Sequence, residues 1–290
     1  MLRLGNIIFL LFFTGGLFSC YKLVPVDIPP HSPELVANAL FKAGKEIEVN
    51  ISISQHIYDT LSPFDNQALV TIRTGDNIEV LEDLGKGNYT TKQMIAISGK
   101  TYVLEVSSNG YPSIVAKDSV PETVPFRIVR FIPGAKINED GYEYSLFEIA
   151  FSDPANTKNF YEIMGRSLSV FGLSKVYLTS DDPYVLNEGD KDFYPSNILL
   201  SDELFDGKKV NLIIYAGYQK EYDKAYYIFF RCVSAAYYHY EKKLLRHMEN
   251  QYPDLWDGTG SPVTLFSNVE NGYGIFAAYT QQIDSVSIPQ

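Results

Sequence analysis

Residues 46–54 read EIEVNISIS, and this stretch decides the fold because apolar and polar residues alternate through it without a break. Ile47, Val49, Ile51 and Ile53 fall on one side of an extended chain, since successive side chains of a strand point to opposite faces. The stretch therefore predicts a β-strand that buries one face and leaves the other in water.

Similar strands follow this one toward the C-terminus. Residues 68–73 (ALVTIR), 77–81 (NIEVL) and 101–106 (TYVLEV) are short, rich in β-branched side chains and separated by turn residues such as Asn109-Gly110. About seven strands at this spacing predict an N-terminal antiparallel β-sandwich of immunoglobulin or transthyretin type over residues 34–122.

The rest of the chain, residues 123–290, has longer alternating stretches and more aromatic side chains. Residues 126–131 (FRIVRF) and 142–151 (YEYSLFEIAF) both alternate. Tyrosine and phenylalanine, which number 22 and 18 in the chain, favour half-buried pleated surfaces. We therefore predict a mainly β protein, in which a larger β-rich domain follows the sandwich.

One helix is predicted in that second domain, over residues 234–251. Ser234 can cap its first turn, Tyr237 and Tyr240 begin an apolar stripe at helical spacing, and Pro253 ends it.

The N-terminus resembles a secretory signal that ends in a lipidation site. Arg3 precedes an apolar core at 7–13, which is too short to cross a bilayer core of about 30 Å. The tetrapeptide 17–20 (LFSC) is similar to a bacterial lipobox, so residues 1–19 are predicted to be a signal peptide and Cys20 the lipidated first residue.

Lipidation would tie the protein to a membrane through Cys20, with the proline-rich residues 20–33 as a tether. The alternative is an ordinary signal peptide in which Cys20 is coincidental. Cys232, the one other cysteine, lies in an apolar run and is predicted to be a buried, inert thiol.

Charge and motifs restrict the function. A formal net charge of −11 argues against nucleic acid as a partner, because phosphates would repel it. The sequence has no Gly-x-Ser-x-Gly, phosphate-loop or His-Glu-x-x-His motif, so we predict no enzyme activity and no cofactor. A hydrolase is the least favoured of the functions considered. It stays open because the two carboxylates of such a site can be far apart in sequence and close only in three dimensions.

Candidate metal and ligand residues are few. The acidic segment 179–197 could hold calcium through Asp181, Asp182, Asp190 and Asp192, but its spacing does not match a calcium-binding loop and a solvated loop is favoured.

Two histidines of the predicted helix, His239 and His247, are eight residues apart, and a zinc site there would need a third ligand from elsewhere. Packing or solvated roles are favoured for both. Trp256 and Tyr273 are candidates for a ligand-binding surface, although most aromatic residues in a β-rich protein serve packing.

Several motifs together resemble a known family. They are the lipobox, Gly87-Asn-Tyr, the GKTYVL of 99–104, the FSDP of 151–154 and the closing SNVENGYGIFAAY of 267–279. The chain is similar to a lipoprotein family of Bacteroidetes-type bacteria, the domain-of-unknown-function family 4249.

This resemblance implies an outer-membrane lipoprotein of the kind often encoded beside TonB-dependent receptors, and it carries over one functional residue, Cys20. We expect a non-catalytic binding accessory that captures or hands over a solute, on a membrane face that the sequence leaves open. The alternative is a structural or adhesive cell-surface lipoprotein. In the closing motif, we expect Asn271-Gly272 to form a tight turn and Gly274 to allow a close backbone approach.

Overall fold

The structure, a computed structural model, describes residues 32–56, 64, 67–188, 197–250 and 263–288, apart from the side chain of Glu249. The predicted signal peptide, Cys20, the tether up to residue 31, Asp190, Asp192 and Trp256 lie outside these residues. Residues 33–290 form one compact unit.

The described residues form eighteen strands and two α-helices. The helices are α1 (Pro183–Leu186) and α2 (Ala235–Asn250). The strands are β1 (Leu35–Lys42), β2 (Glu46–Ile53), β3 (Ala68–Thr74), β4 (Asn77–Val80), β5 (Glu82–Gly85), β6 (Asn88–Ile95), β7 (Thr101–Ser108), β8 (Ile114–Ser119), β9 (Phe126–Ile137), β10 (Glu143–Ser152), β11 (Phe160–Ser169), β12 (Gly172–Val176), β13 (Leu178–Thr179), β14 (Asn197–Ser201), β15 (Lys209–Tyr218), β16 (Asp223–Val233), β17 (Val269–Glu270) and β18 (Tyr273–Ser287).

A nine-stranded sheet runs through the whole unit. Its order is β12-β11-β16-β18-β1-β2-β6-β5, and β14 pairs with the same edge of β11 as β12 does. The central pair, β18 and β1, is parallel, whereas the other pairs of this sheet are antiparallel. The sheet therefore joins strands from both ends of the described chain.

One half of this sheet packs against a five-stranded sheet of order β17-β8-β7-β3-β4. The apolar faces of both enclose a first core, in which the ring of Phe41 lies 5.7 Å from that of Tyr102 and 4.6 Å from that of Phe276. Ile47, Val49 and Ile51 are buried there, as the alternation in residues 46–54 predicts.

The other half packs against a four-stranded sheet of order β13-β15-β10-β9 around a second, aromatic core. The ring of Phe147 is 5.2 Å from that of Tyr226, and the ring of Phe151 is 4.9 Å from that of Phe230. Cys232 is buried in this core, where burial raises the pKa of its thiol, so the predicted inert role agrees with its position.

Helix α2 covers part of the opposite face of the large sheet. Tyr237 and Tyr238 pack with Phe160 and Ile275 in a third apolar cluster, and Ser234 Oγ accepts the backbone N–H of Tyr237 at 3.2 Å. The helix predicted over 234–251 is thus confirmed. Within the described residues, the helices are too short or too polar to cross a bilayer.

The mainly β fold class is confirmed, with two local differences. The strand predicted over residues 77–81 is β4 and ends at Val80, and a further strand, β5, follows after Leu81, which is buried where the chain passes from the five-stranded to the nine-stranded sheet. Strands β17 and β18 belong to the predicted second domain, yet β17 pairs with β8 and β18 pairs with β1, two strands of the predicted sandwich, while β18 also pairs with β16. The boundary after residue 122 stays a prediction.

Gly274 lies where the parallel pair begins. Its φ is +118°, and a Cβ placed on it would lie 2.0 Å from the carbonyl oxygen of Ala37. The close approach that the closing motif predicts is confirmed, and Asn271-Gly272 forms a turn between β17 and β18.

Candidate functional site

A cavity of about 400 Å³ opens on the face of the large sheet that carries α2. It lies where β14 and β12 meet along β11, at Met164 and Gly165. Alternate residues of β11 reach this face, while Tyr161 and Ile163 between them enter the second core. The polar residues that line the cavity are Glu162, Arg166, Lys175, Asn197, Arg231, Tyr237 and Glu241.

A buried ion pair forms the floor of the cavity. The side chain of Glu162 is 2% exposed, and its Oε2 accepts Arg231 Nη1 and the hydroxyl of Tyr237, both at 2.8 Å. Arg231 Nε donates to Gln281 Oε1 at 2.9 Å, and its guanidinium lies 4.4 Å from the ring centre of Tyr279. These contacts compensate much of the cost of burying the two charges.

Asn197 completes this network but leaves one atom unused. Its Nδ2 donates to Glu162 Oε1 at 2.5 Å, and the residue is 9% exposed. Because a carboxylate oxygen only accepts, the amide must turn its nitrogen toward Glu162. Asn197 Oδ1 is then buried with no hydrogen-bond partner among the described residues. A buried acceptor of this kind calls for a donor from water or from a ligand.

The rim of the cavity is cationic. Arg166 and Lys175 are directly opposite each other in the β11–β12 pair, and both line the cavity. Like charges in opposite positions destabilise a strand pair unless an anion or solvent screens them. The guanidinium of Arg166 lies 5.6 Å from the ring centre of Phe229, an apolar residue of the same lining.

Glu241 brings a second carboxyl group to the cavity from α2. Burial and the negative charge of Glu162 raise the pKa of Glu241 to about 7, against the opposing effect of Arg231 and Lys175. The carboxyl group therefore changes its charge near neutral pH and can either donate or accept a hydrogen bond.

This raised pKa has a consequence for stability. The folded state binds a proton on Glu241 more tightly than the unfolded state, so the contribution of this group is complete below pH 4.5 and is lost as the pH rises toward 7. Between pH 4.5 and about 7 we expect the free energy of unfolding of the wild type to fall by up to about 3 kcal/mol through this group. Glu241→Gln cannot titrate there and should not show this part of the fall. Chemical denaturation at several pH values measures it, and equal slopes for both proteins would contradict the assignment.

The predicted site residues lie elsewhere. Asp181 forms an exposed ion pair with Lys136 at 2.8 Å, and Asp182 caps α1 by accepting the N–H of Tyr184 at 3.0 Å. Asp190, Asp192, Trp256 and Cys20 are outside the described residues. Tyr273 is 47% exposed at the start of β18 and does not line this cavity.

The helical histidines have packing environments. The ring of His239 lies 6.0 Å from that of Phe160 and 5.7 Å from that of Phe266, and burial with nearby lysines lowers the pKa of its imidazole. His247 Nδ1 is 3.1 Å from the carbonyl oxygen of Val263.

One acidic cluster among the described residues could hold a cation. Carboxylate oxygens of Asp153, Asp202 and Asp206 lie within 4.8 Å of one another. Each carboxylate, however, already accepts a backbone N–H: from Gly207 at 2.9 Å, from Asn159 at 2.6 Å and from Asn156 at 2.9 Å, respectively. These bonds give the cluster a role in holding two loops.

A larger cavity of about 1140 Å³ lies at one end of the first sandwich, between the β3–β4 turn and the β6–β7 turn. Two carboxylates line it, Asp76 and Glu79, and Glu79 accepts the successive backbone N–H groups of Lys92, Gln93 and Met94 at 2.5, 3.1 and 2.6 Å. Those three bonds use the carboxylate of Glu79, and Asp76 is an exposed residue of the β3–β4 turn, so the smaller cavity with its buried polar network is the better candidate site.

Sequence patterns did not identify the residues of that site. Glu162 and Arg231 stand on different strands, and only the register of β11 with β16 makes them neighbours. A weak signal was present, since a charged residue interrupts the apolar stretch at each of these two positions.

Comparison with known proteins gives a family match. The model of a family described as "Domain of unknown function (DUF4249)" matches residues 22–284. No curated protein matches the sequence. The matched residues include every residue that lines the cavity of about 400 Å³ and both large cores apart from Ile288.

Proposed function

We propose that this chain, which belongs to the DUF4249 family, is a lipid-anchored outer-membrane protein that binds a small solute as a non-catalytic accessory of a TonB-dependent transporter. The cavity beside α2 carries this proposal. Its polar side chains come from five different elements, which hold them in place before a ligand enters.

Binding is favoured over catalysis by the bonding of Glu162. Its two oxygens accept three hydrogen bonds from Asn197, Arg231 and Tyr237, which makes it a poor nucleophile or base. Asn197 Oδ1, in contrast, is a buried acceptor with its capacity unused. Such a group stabilises a bound donor without taking part in chemistry.

A hydrolase is the second candidate, because Glu162 and Glu241 are two carboxyl groups beside one cavity and the pKa of Glu241 is raised. Paired carboxyl groups in different environments are the usual machinery of glycoside cleavage. Turnover of any glycan or peptide in a panel, lost in Glu241→Gln, would establish this candidate in place of the binding function.

The accessory function is tested by isolation of the native complex. We expect a TonB-dependent receptor to co-purify with the protein when it is extracted in several mild detergents. We also expect deletion of its gene to reduce the uptake of one nutrient. Recovery without any receptor, together with unchanged uptake, would contradict the accessory function and favour a structural or adhesive one.

The anchor makes a separate prediction. We expect Cys20→Ser to release the protein from the membrane fraction, because several acyl chains at about 0.8 kcal/mol per buried methylene hold the unmodified protein there. Cys232→Ser is the matched control and should leave the protein membrane-bound. Fractionation with fatty-acid analysis measures both, and an unmodified wild type that still pellets with membranes would contradict lipidation at Cys20.

A further inference from the structure

We infer that the cavity beside α2 binds a small organic carboxylate that also carries a hydrogen-bond donor, that is, a hydroxy acid or an amino acid. This inference rests on the proposed binding function and names the class of ligand. It follows from three properties of the cavity, which are its unpaired acceptor, its net charge and its apolar wall.

The hydrogen-bond donor of the ligand is inferred from Asn197. Its nitrogen is committed to Glu162 at 2.5 Å, so its oxygen can only accept. The residue is 9% exposed and its Oδ1 lacks a partner within the described part of the chain. A ligand hydroxyl or amine at this position would satisfy a group that is costly to leave unpaired.

The carboxylate of the ligand is inferred from the charged residues that line the cavity. The lining carries three cations, Arg166, Lys175 and Arg231, against the two carboxyl groups of Glu162 and Glu241, in a chain whose formal net charge is −11. Glu162 neutralises Arg231 directly. The opposed pair Arg166 and Lys175 is left as the attractive site for an anion, and an arginine fork fits a carboxylate in a bidentate arrangement.

The rest of the ligand meets an apolar wall. Phe229, Met164 and Leu40 line the cavity, and Leu40 is 42% exposed. A volume of about 400 Å³ is near the lower end of the range for small-molecule sites. The cavity therefore suits a single small acid with a short aliphatic body better than a polymer.

The experiment compares four molecules of one shape by calorimetry on the full chain in detergent. Leucine and 2-hydroxy-4-methylpentanoate carry both groups, 4-methylpentanoate lacks the donor, and 2-hydroxy-4-methylpentanamide lacks the charge. We expect the first two to bind about tenfold to a hundredfold more tightly than the other two, as loss of one buried hydrogen bond or charge contact predicts.

Variants locate the binding. Arg166→Gln and Lys175→Gln should each weaken the binding of leucine and of 2-hydroxy-4-methylpentanoate about tenfold, and Asn197→Leu should reduce the preference for 2-hydroxy-4-methylpentanoate over 4-methylpentanoate. Lys220→Gln, an exposed cation in the β15–β16 turn, is the control. Circular dichroism separates a folding defect in Asn197→Leu from lost binding, and the two rim variants test the inference without disturbing the buried network.

Equal affinities for the four molecules, or no binding by any of them up to about 10 mM, would overturn the inference. Neither result would decide the accessory function, which is tested separately by whether a receptor co-purifies with the protein. Tight binding of leucine and 2-hydroxy-4-methylpentanoate, without a receptor in the native extract, would support the ligand class and contradict the accessory function.

Discussion

Gly274→Ala is expected to lower the free energy of unfolding by about 4 kcal/mol or more, which is among the largest effects of a single methyl group. The new Cβ would lie 2.0 Å from the carbonyl oxygen of Ala37 and 2.9 Å from its nitrogen, so β18 could no longer approach β1. The φ of +118° adds strain, because side chains other than glycine rarely adopt it. Denaturant unfolding measures the loss.

Two glycines give matched controls. Gly217→Ala, in β15, places its Cβ in open space with no unusual φ and should change stability by less than about 0.5 kcal/mol. Gly44→Ala also has open space, but its φ of +78° should cost about 1 kcal/mol. A loss at Gly274 no greater than that at Gly44 would show that the parallel pair does not need the close approach.

Glu162→Leu is expected to cost about 3–5 kcal/mol, because it leaves Arg231 buried without a counter-charge. The arginine side chain is 18% exposed, so water can replace only part of the lost interaction. Tyr237 and Asn197 also lose their acceptor. The free energy of unfolding at fixed pH is the measurement.

The control is an exposed pair. Lys158 and Glu203 are 3.5 Å apart with side chains 61% and 62% exposed, so Glu203→Leu should change stability by less than about 1 kcal/mol. The double variant Glu162→Leu with Arg231→Met should recover most of the loss, since a buried pair is often replaceable by apolar side chains. A double variant as unstable as Glu162→Leu would contradict the unpaired charge as the cause.

The sequence predicted those parts of the fold that depend on local patterns. Alternation at residues 46–54 identified β2, and the cap at Ser234 with apolar spacing identified α2. Gly274 was also recognised, because a glycine after a turn commonly marks a close approach. These signals are contained within a few neighbouring residues.

The candidate site could not be predicted, because it depends on pairings between distant residues. Arg166 and Lys175 become opposed only through the β11–β12 register, and Glu162 meets Arg231 only through β16. Asn197 is the last residue of the acidic segment 179–197, which reads as a loop in the sequence, so nothing there indicates a buried side chain. Strand β5, which pairs with β6 in the nine-stranded sheet, was not predicted for the same reason.

The parallel pairing of β1 with β18 also constrains how the chain folds. Val36 to Lys42 align with Tyr273 to Tyr279, so β1 can form this pair only after all the residues between it and β18 have been synthesised. Such non-local pairing has high contact order and slows folding, because a long loop must close first. Until β18 has been made, β1 presents an open edge on that side, and an unpaired edge of this kind is the surface through which partly folded chains aggregate and which chaperones shield.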